Sequence, residues 1–189
     1  EAVALKDFVV TVERSFIKPE PQTNLLVCTK LPCYRIPAIT TARNGDIIAI
    51  ADYRHNGADI GFGGQLDLHA KISKDNGATW SKDPLVVVEG SKYKNGSANA
   101  THYMNTGFGD PCLVADRESD RVLLMSCSGA VSFPSGTRNN HLGIVRFYSN
   151  DNGQTWSAPE EISESIYAQF DTCTIGTANS MFIGSGRIF

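Results

Sequence analysis

Two eight-residue phrases carry the clearest chemical pattern in this chain: Ser73-Lys74-Asp75-Asn76-Gly77-Ala78-Thr79-Trp80 and Ser149-Asn150-Asp151-Asn152-Gly153-Gln154-Thr155-Trp156. Each ends on one of the only two tryptophans of the sequence. Aspartate, asparagine and glycine in a row offer two chemistries. Their oxygens could ligate calcium, or the carboxylate could accept bonds from nearby backbone N–H groups while glycine takes the positive φ of a tight turn. A calcium loop of EF-hand type needs more oxygen ligands and a terminal glutamate, which neither copy has, so the turn is the favoured reading. The Thr-Trp endings then start a returning strand, with each indole a large buried anchor. Asp75, Gly77, Trp80, Asp151, Gly153 and Trp156 are therefore expected to serve the fold.

Other reactive side chains form no pattern of their own. His55, His69, His102 and His141 do not have metal-ligand spacing, and the five cysteines (Cys28, Cys33, Cys112, Cys127 and Cys173) contain no C-x-x-C pair. A single Cys28–Cys33 bridge is allowed; no metal or cofactor is called for. The 189 residues carry a net charge of −3, without the basic footprint of a nucleic-acid binder. No apolar run approaches membrane-spanning length, so membrane insertion is not expected.

The elements that must position these residues read as strands and turns almost throughout. Phe8–Val12, Leu25–Cys28, Tyr34–Thr41, Ile47–Ala51, Leu68–Ser73 and Trp80–Val88 read as strands, with a hairpin turn at Asn44-Gly45. Ile47–Ala51 is apolar on both faces and suits an inner strand. After a Gly, Asn and Ser rich loop the order recurs, with strands over Cys112–Ala115, Val122–Cys127 and Gly143–Tyr148 ahead of the second phrase. Only Glu160–Gln169 hints at a helical turn. Two blocks of about four strands, each with the phrase between its third and fourth, make a pair of propeller blades.

Tyr34-Arg35-Ile36-Pro37, followed by Arg54 and then by the two repeated turns, resembles the exo-α-sialidases (neuraminidases) of bacterial and animal type. The likeness runs from about Cys33 onward and is nearest to secreted bacterial sialidases. It implies an all-β fold, a six-bladed β-propeller in which the repeats are aspartate boxes. This chain would supply the first two blades and the start of a third. It also implies a lead-in over residues 1–32 and the N-terminal part of the propeller over residues 33–189. The implied activity is a glycosidase that releases terminal α-linked sialic acid from sialylated glycans, in a secreted, periplasmic or cell-surface setting.

The resemblance assigns roles residue by residue. Arg35 matches the first of three arginines that clamp the substrate carboxylate, a task suited to the planar guanidinium fork. Arg54 matches a further arginine that helps hold the substrate. Asp59 falls where the family has its acid/base aspartate, with Asp67 as the nearest rival. Asp110, ahead of Pro111, matches a carboxylate that contacts the hydroxyl and acetamido side of the sugar. The plain alternatives are an ion pair for Arg35, a solvated strand end for Arg54 and turn residues for Asp59 and Asp110.

Sialidases depart from the usual pair of catalytic carboxylates by using a tyrosine nucleophile. The resemblance places that tyrosine, its glutamate and the other clamp arginines beyond Phe189, and Tyr34, Tyr53 and Tyr103 are not at its place. The chain by itself is therefore expected to be inactive, with the remaining blades coming from the same polypeptide or a companion chain. A trans-sialidase, or a non-catalytic carbohydrate-binding propeller, would share many of these features.

Overall fold

The computed structural model describes residues 31–94, 96–98, 104–137, 140–168 and 186–187. The strands expected over Phe8–Val12 and Leu25–Cys28, together with Cys28, His102, Tyr103 and Cys173, lie outside them. Among the described residues the fold is all-β apart from short helical turns. Strands β1 (Cys33–Thr41), β2 (Ile47–Arg54), β3 (Leu66–Ser73) and β4 (Leu85–Val88) form one antiparallel sheet in chain order. A second sheet holds β5 (Phe108–Ala115), β6 (Val122–Ser128), β7 (Gly143–Ser149) and β8 (Glu160–Glu161), with β9 (Gly186–Arg187) added in parallel beside β5. Gly186–Arg187 therefore pairs back to β5, a strand earlier in the sequence. The helical hint after Glu160 is realised as α1 (Ser163–Tyr167).

Alternation along β2 explains the layer structure. Ile48 and Ile50 point toward the second sheet and join Leu68, Phe108, Leu113, Leu124, Val145 and Phe147 in one buried cluster. Phe108 and Phe147 meet edge to face, with ring centroids 6.2 Å apart. Each such side chain contributes roughly 1.5–3 kcal/mol by leaving water. Ala49 and Ala51 lie on the other face and are also buried, as expected for an inner strand.

Asp52 and Arg54 continue the inward phase of Ile48 and Ile50, and both are buried. The stripe that is apolar in the middle of β2 therefore turns charged at its end, in the contact between the sheets. This feature positions everything that follows.

Both repeated turns close as hairpin-like loops, but the strands after them start later than the sequence pattern indicates. The expected Trp80–Val88 strand is ordered as β4 only from Leu85, and β8 begins at Glu160. Pro84 and Pro159 have no N–H to give the ladder, so each chain segment rejoins its sheet just past its proline. A single backbone bond, from Ser81 to Ile72 and from Ser157 to Tyr148, bridges each gap.

Candidate active site

The Arg35 strand and the Asp110 strand share a device. Each first strand of a sheet carries a bulge, between Arg35 and Ala38 in β1 and between Gly109 and Cys112 in β5. At each bulge a non-glycine residue ahead of a proline takes a positive φ of 53°: Ile36 before Pro37, and Asp110 before Pro111. Such backbone costs on the order of 1–3 kcal/mol per residue and persists only where its surroundings hold it. Bulges re-aim side chains at sheet ends, which is where Arg35 and Asp110 stand. Arg35 is exposed, and it lies opposite Asp52 in the β1–β2 register.

Arg54 organises the interior of this sheet end. Its Nη2 donates to Asp52 Oδ2 at 3.0 Å and contacts Asp59 Oδ1 at 2.8 Å, while its Nε is buried without a partner. The strand-end arginine is thus no solvated charge: its side chain is only 2% exposed, whereas that of Asp59 is 51% exposed. Asp59 Oδ1 also accepts from the Ile60 N–H, and its carbonyl accepts from the Phe62 N–H. Asp59 is both a turn residue and the carboxylate through which the buried arginine reaches the surface.

Asp52 joins the two sheets. Its Oδ1 accepts the Asp110 backbone N–H at 3.0 Å, which holds the strained residue of β5. The same bulge is tied from below by the Ser126 hydroxyl, which donates to the Gly109 carbonyl at 2.8 Å. Burial pushes the Asp52 carboxyl up to about 7, and the nearby Asp110 charge adds to this while the bond to Arg54 opposes it. The Asp110 carboxyl is raised as well, by burial first and then by the charge of Asp59. Two buried carboxylates whose proton affinity is raised beside one arginine mark this sheet end as a candidate site for acid–base chemistry.

Asp67, the rival acid, is committed elsewhere. It is buried and accepts from His55 Nε2 at 2.7 Å, from the Gly90 N–H at 2.7 Å and from Gln65 Nε2 at 3.2 Å. It lies on the opposite face of the sheet from Arg54, with Tyr34, Tyr53 and His69. The Tyr34 hydroxyl is 2.9 Å from His69 Nδ1, and burial, then the neighbouring Tyr53, pushes the phenol up to about 12. Among the described residues no three His, Cys, Asp or Glu side chains are grouped as metal ligands.

The structure therefore brings Arg54, Asp59 and Asp110 together and sets Arg35 on the neighbouring strand. It adds Asp52, which sequence reasoning missed. The available signal was its phase: a carboxylate two residues beyond Ile50, in the inward stripe of an apolar strand.

The aspartate boxes lie away from this cluster. In each, the serine hydroxyl donates to the aspartate at 2.8 Å and the threonine N–H donates to it at 2.7 Å or 2.9 Å, for Asp75 and Asp151 respectively. The expectation of two buried indoles is corrected, since both are half-buried, and they pack differently. Trp156 packs against the main core and donates through Nε1 to the Gly153 carbonyl at 3.1 Å. Trp80 is half-buried and lines an open groove of about 550 Å³ with Ile72, Pro84, Leu85 and Gln154. The difference is tertiary: the second box leans on the turn between β1 and β2.

Comparison with known proteins adds three findings. The BNR/Asp-box repeat model matches residues 71–82 and 147–158. Several curated sialidases match at 28% to 30% identity; that of Bacteroides fragilis is 28% identical over 142 residues, covering 70% of this chain and 25% of the relative. The chain thus spans about a quarter of that relative's length. The fold is similar to that of a Hadza microbial sialidase, with TM-score 0.59 and 22% identity over 82% of this chain and 29% of the other. It is also similar to the intramolecular trans-sialidase from Ruminococcus gnavus, with TM-score 0.55 and 15% identity over 84% of this chain and 53% of the other. The resemblance to bacterial-type sialidases holds in sequence and in fold.

Proposed function

From this similarity to bacterial-type sialidases, we propose that the chain contributes one wall of the active site of an exo-α-sialidase. This glycosidase would release terminal α-linked sialic acid from sialylated glycans outside the cytoplasm. In this reading the two sheets are successive blades of a six-bladed propeller. Arg35 receives the substrate carboxylate, Asp59 protonates the departing glycosidic oxygen and then activates water, Asp110 meets the sugar from the side of β5, and the buried Arg54 of β2 acts through Asp59, which it holds in place. The nucleophile is a tyrosine assisted by a glutamate, both supplied by blades beyond this chain. An anionic group on the anomeric carbon would repel a carboxylate nucleophile, which favours this substitution.

The observation that carries the reading is the placement of Asp59. It is half exposed, bonded to a buried arginine and within the field of Asp110, so it is reachable by substrate while held in one orientation. A turn aspartate serving the fold alone has no need of that buried arginine. A trans-sialidase would use the same residues and differ on the side that accepts the sugar.

The test is Asp59→Asn in the full-length protein. Cleavage of natural sialyl-galactose linkages should fall on the order of a thousandfold, and cleavage of an activated aryl sialoside much less, because a phenolate leaves with little help. Equal losses on both substrates, or a selective loss for Asp67→Asn instead, would remove Asp59 from the role.

A further inference from the structure

Asp52 is buried, belongs to no local turn and makes its bonds to two different walls of the site. One oxygen faces Arg54 on its own strand at 3.0 Å, and the other accepts the Asp110 N–H on β5 at 3.0 Å. A Cβ added to Gly109 would sit 3.2 Å from Asp52 Oδ2, so β5 passes against this carboxylate with no side chain between them. Arg54 in turn divides its Nη2 between Asp52 and the exposed Asp59. Moving or neutralising Asp52 must therefore disturb both Arg54 and the positive-φ backbone of Asp110.

We propose that Asp52 is a positioning residue whose charge decides how Arg54 is shared with Asp59 and how firmly the Asp110 bulge is held. With Asp52 ionised, Arg54 is balanced between two carboxylates, and the Asp110 N–H has a charged acceptor. With Asp52 protonated, Arg54 is drawn toward Asp59 alone, and the bond to Asp110 weakens to that of a neutral acceptor. The groups that face this carboxylate are Arg54 on β2, Asp59 on the loop after it and Asp110 on β5. Beyond them stands the Cys127 thiol of β6, bonded to Asp110, and Arg35 lies beside Asp52 in the strand register. Burial places the Asp52 ionisation near neutrality, at about 7, so the change of hold falls in a range where a working enzyme would feel it.

The inference rests on the sialidase reading for its catalytic consequence, but the change of hold itself can be measured without turnover. In the full-length protein, the Asp110 amide resonance should move with a midpoint near neutral pH, and in Asp52→Asn it should not. An Asp110 amide that stays flat from about pH 5 to about pH 9 in the wild-type protein overturns the proposal, and this arm needs no variant to fold. In the kinetic arm, Asp52→Asn should lower kcat on a sialoside about tenfold or more at about pH 8, with the deficit closing toward about pH 5, where the wild-type carboxyl is itself neutral. A loss equal at both pH values marks a merely structural role and also overturns it. Absence of turnover by the wild-type protein would defeat the sialidase reading, while the amide titration still decides the role of Asp52.

Discussion

The carboxylates at the two ends of these sheets behave in opposite ways. In the boxes, Asp75 is held below the usual carboxylate range by the Thr79 hydroxyl and N–H and by Ser73; Asp151, though pushed up by its partial burial, is lowered on balance by Thr155 and Ser149. At the site end, burial raises Asp52 and Asp110. The box aspartates take their bonds from residues within four positions in sequence, whereas Asp52 bonds a partner 58 positions away. Local satisfaction makes a stable turn; distant, incomplete satisfaction makes a reactive cluster. The same separation appears between the boxes, because only the second leans on the other sheet.

Trp156→Ala should break the comparison most visibly from the structural side. It is expected to cost about 3 kcal/mol of stability, since the indole packs against the core, while Trp80→Ala in its open groove costs about 1 kcal/mol. Denaturant melts of the full-length variants measure both; equal costs would mean that the boxes are equivalent after all. Activity per folded molecule should survive either change.

Arg35→Lys should show the reverse pattern. The charge stays and the fork is lost, so kcat/KM on a sialoside should drop on the order of a hundredfold with the melting temperature nearly unchanged. Undiminished hydrolysis would take Arg35 out of the site.

A finer contrast comes from the box glycines. Gly77 and Gly153 both hold a positive φ, near 88° and 85°, so alanine is strained in each, by about 1 kcal/mol. A Cβ at Gly153 would also lie 2.5 Å from Ile48 Cδ1, whereas at Gly77 the nearest atom is 3.9 Å away. Gly153→Ala should therefore be the more damaging of the pair, and thermal melts that rank them the other way would refute the inter-sheet contact.

The last contrast is in the pH dependence of stability. Asp75 and Asp151 have lowered folded values, so their stabilisation is present above the ordinary carboxylate range, about pH 4, and disappears as pH falls through those lower values. Asp52 has a raised folded value of about 7, so its contribution is complete below about pH 4 and is lost as pH rises toward 7. The Asp52→Asn protein should lack that decline, and Asp151→Ala should show a smaller acid loss, with the share due to Asp75 remaining. Melting temperatures recorded across the range would show two slopes of opposite sign.

Much of this was legible in the residues. The strand order and the two turns were readable because alternation and turn chemistry act over a few positions, whereas Arg35, Arg54, Asp59 and Asp110 were nominated by the resemblance alone, and the structure brings the last three to one sheet end. Asp67, the nearest rival to Asp59, is occupied by buried bonds to His55 and Gly90, which only the folded structure reveals. Less visible were the late starts of β4 and β8, set by prolines against strand propensity, and the different packing of Trp80 and Trp156.

The sequence alone determined what is made by near neighbours: the box turns, the inner strand β2 and the motif with Arg35. Only the tertiary structure decided which copy of the box supports the other sheet, that Arg54 is buried between two carboxylates, and that Asp52 spans to β5. The physical reason is the period of a strand. Alternation tells which face a side chain takes, but whether that face meets water or another sheet depends on packing between segments far apart in the chain, and the proton affinity of a carboxylate follows that packing.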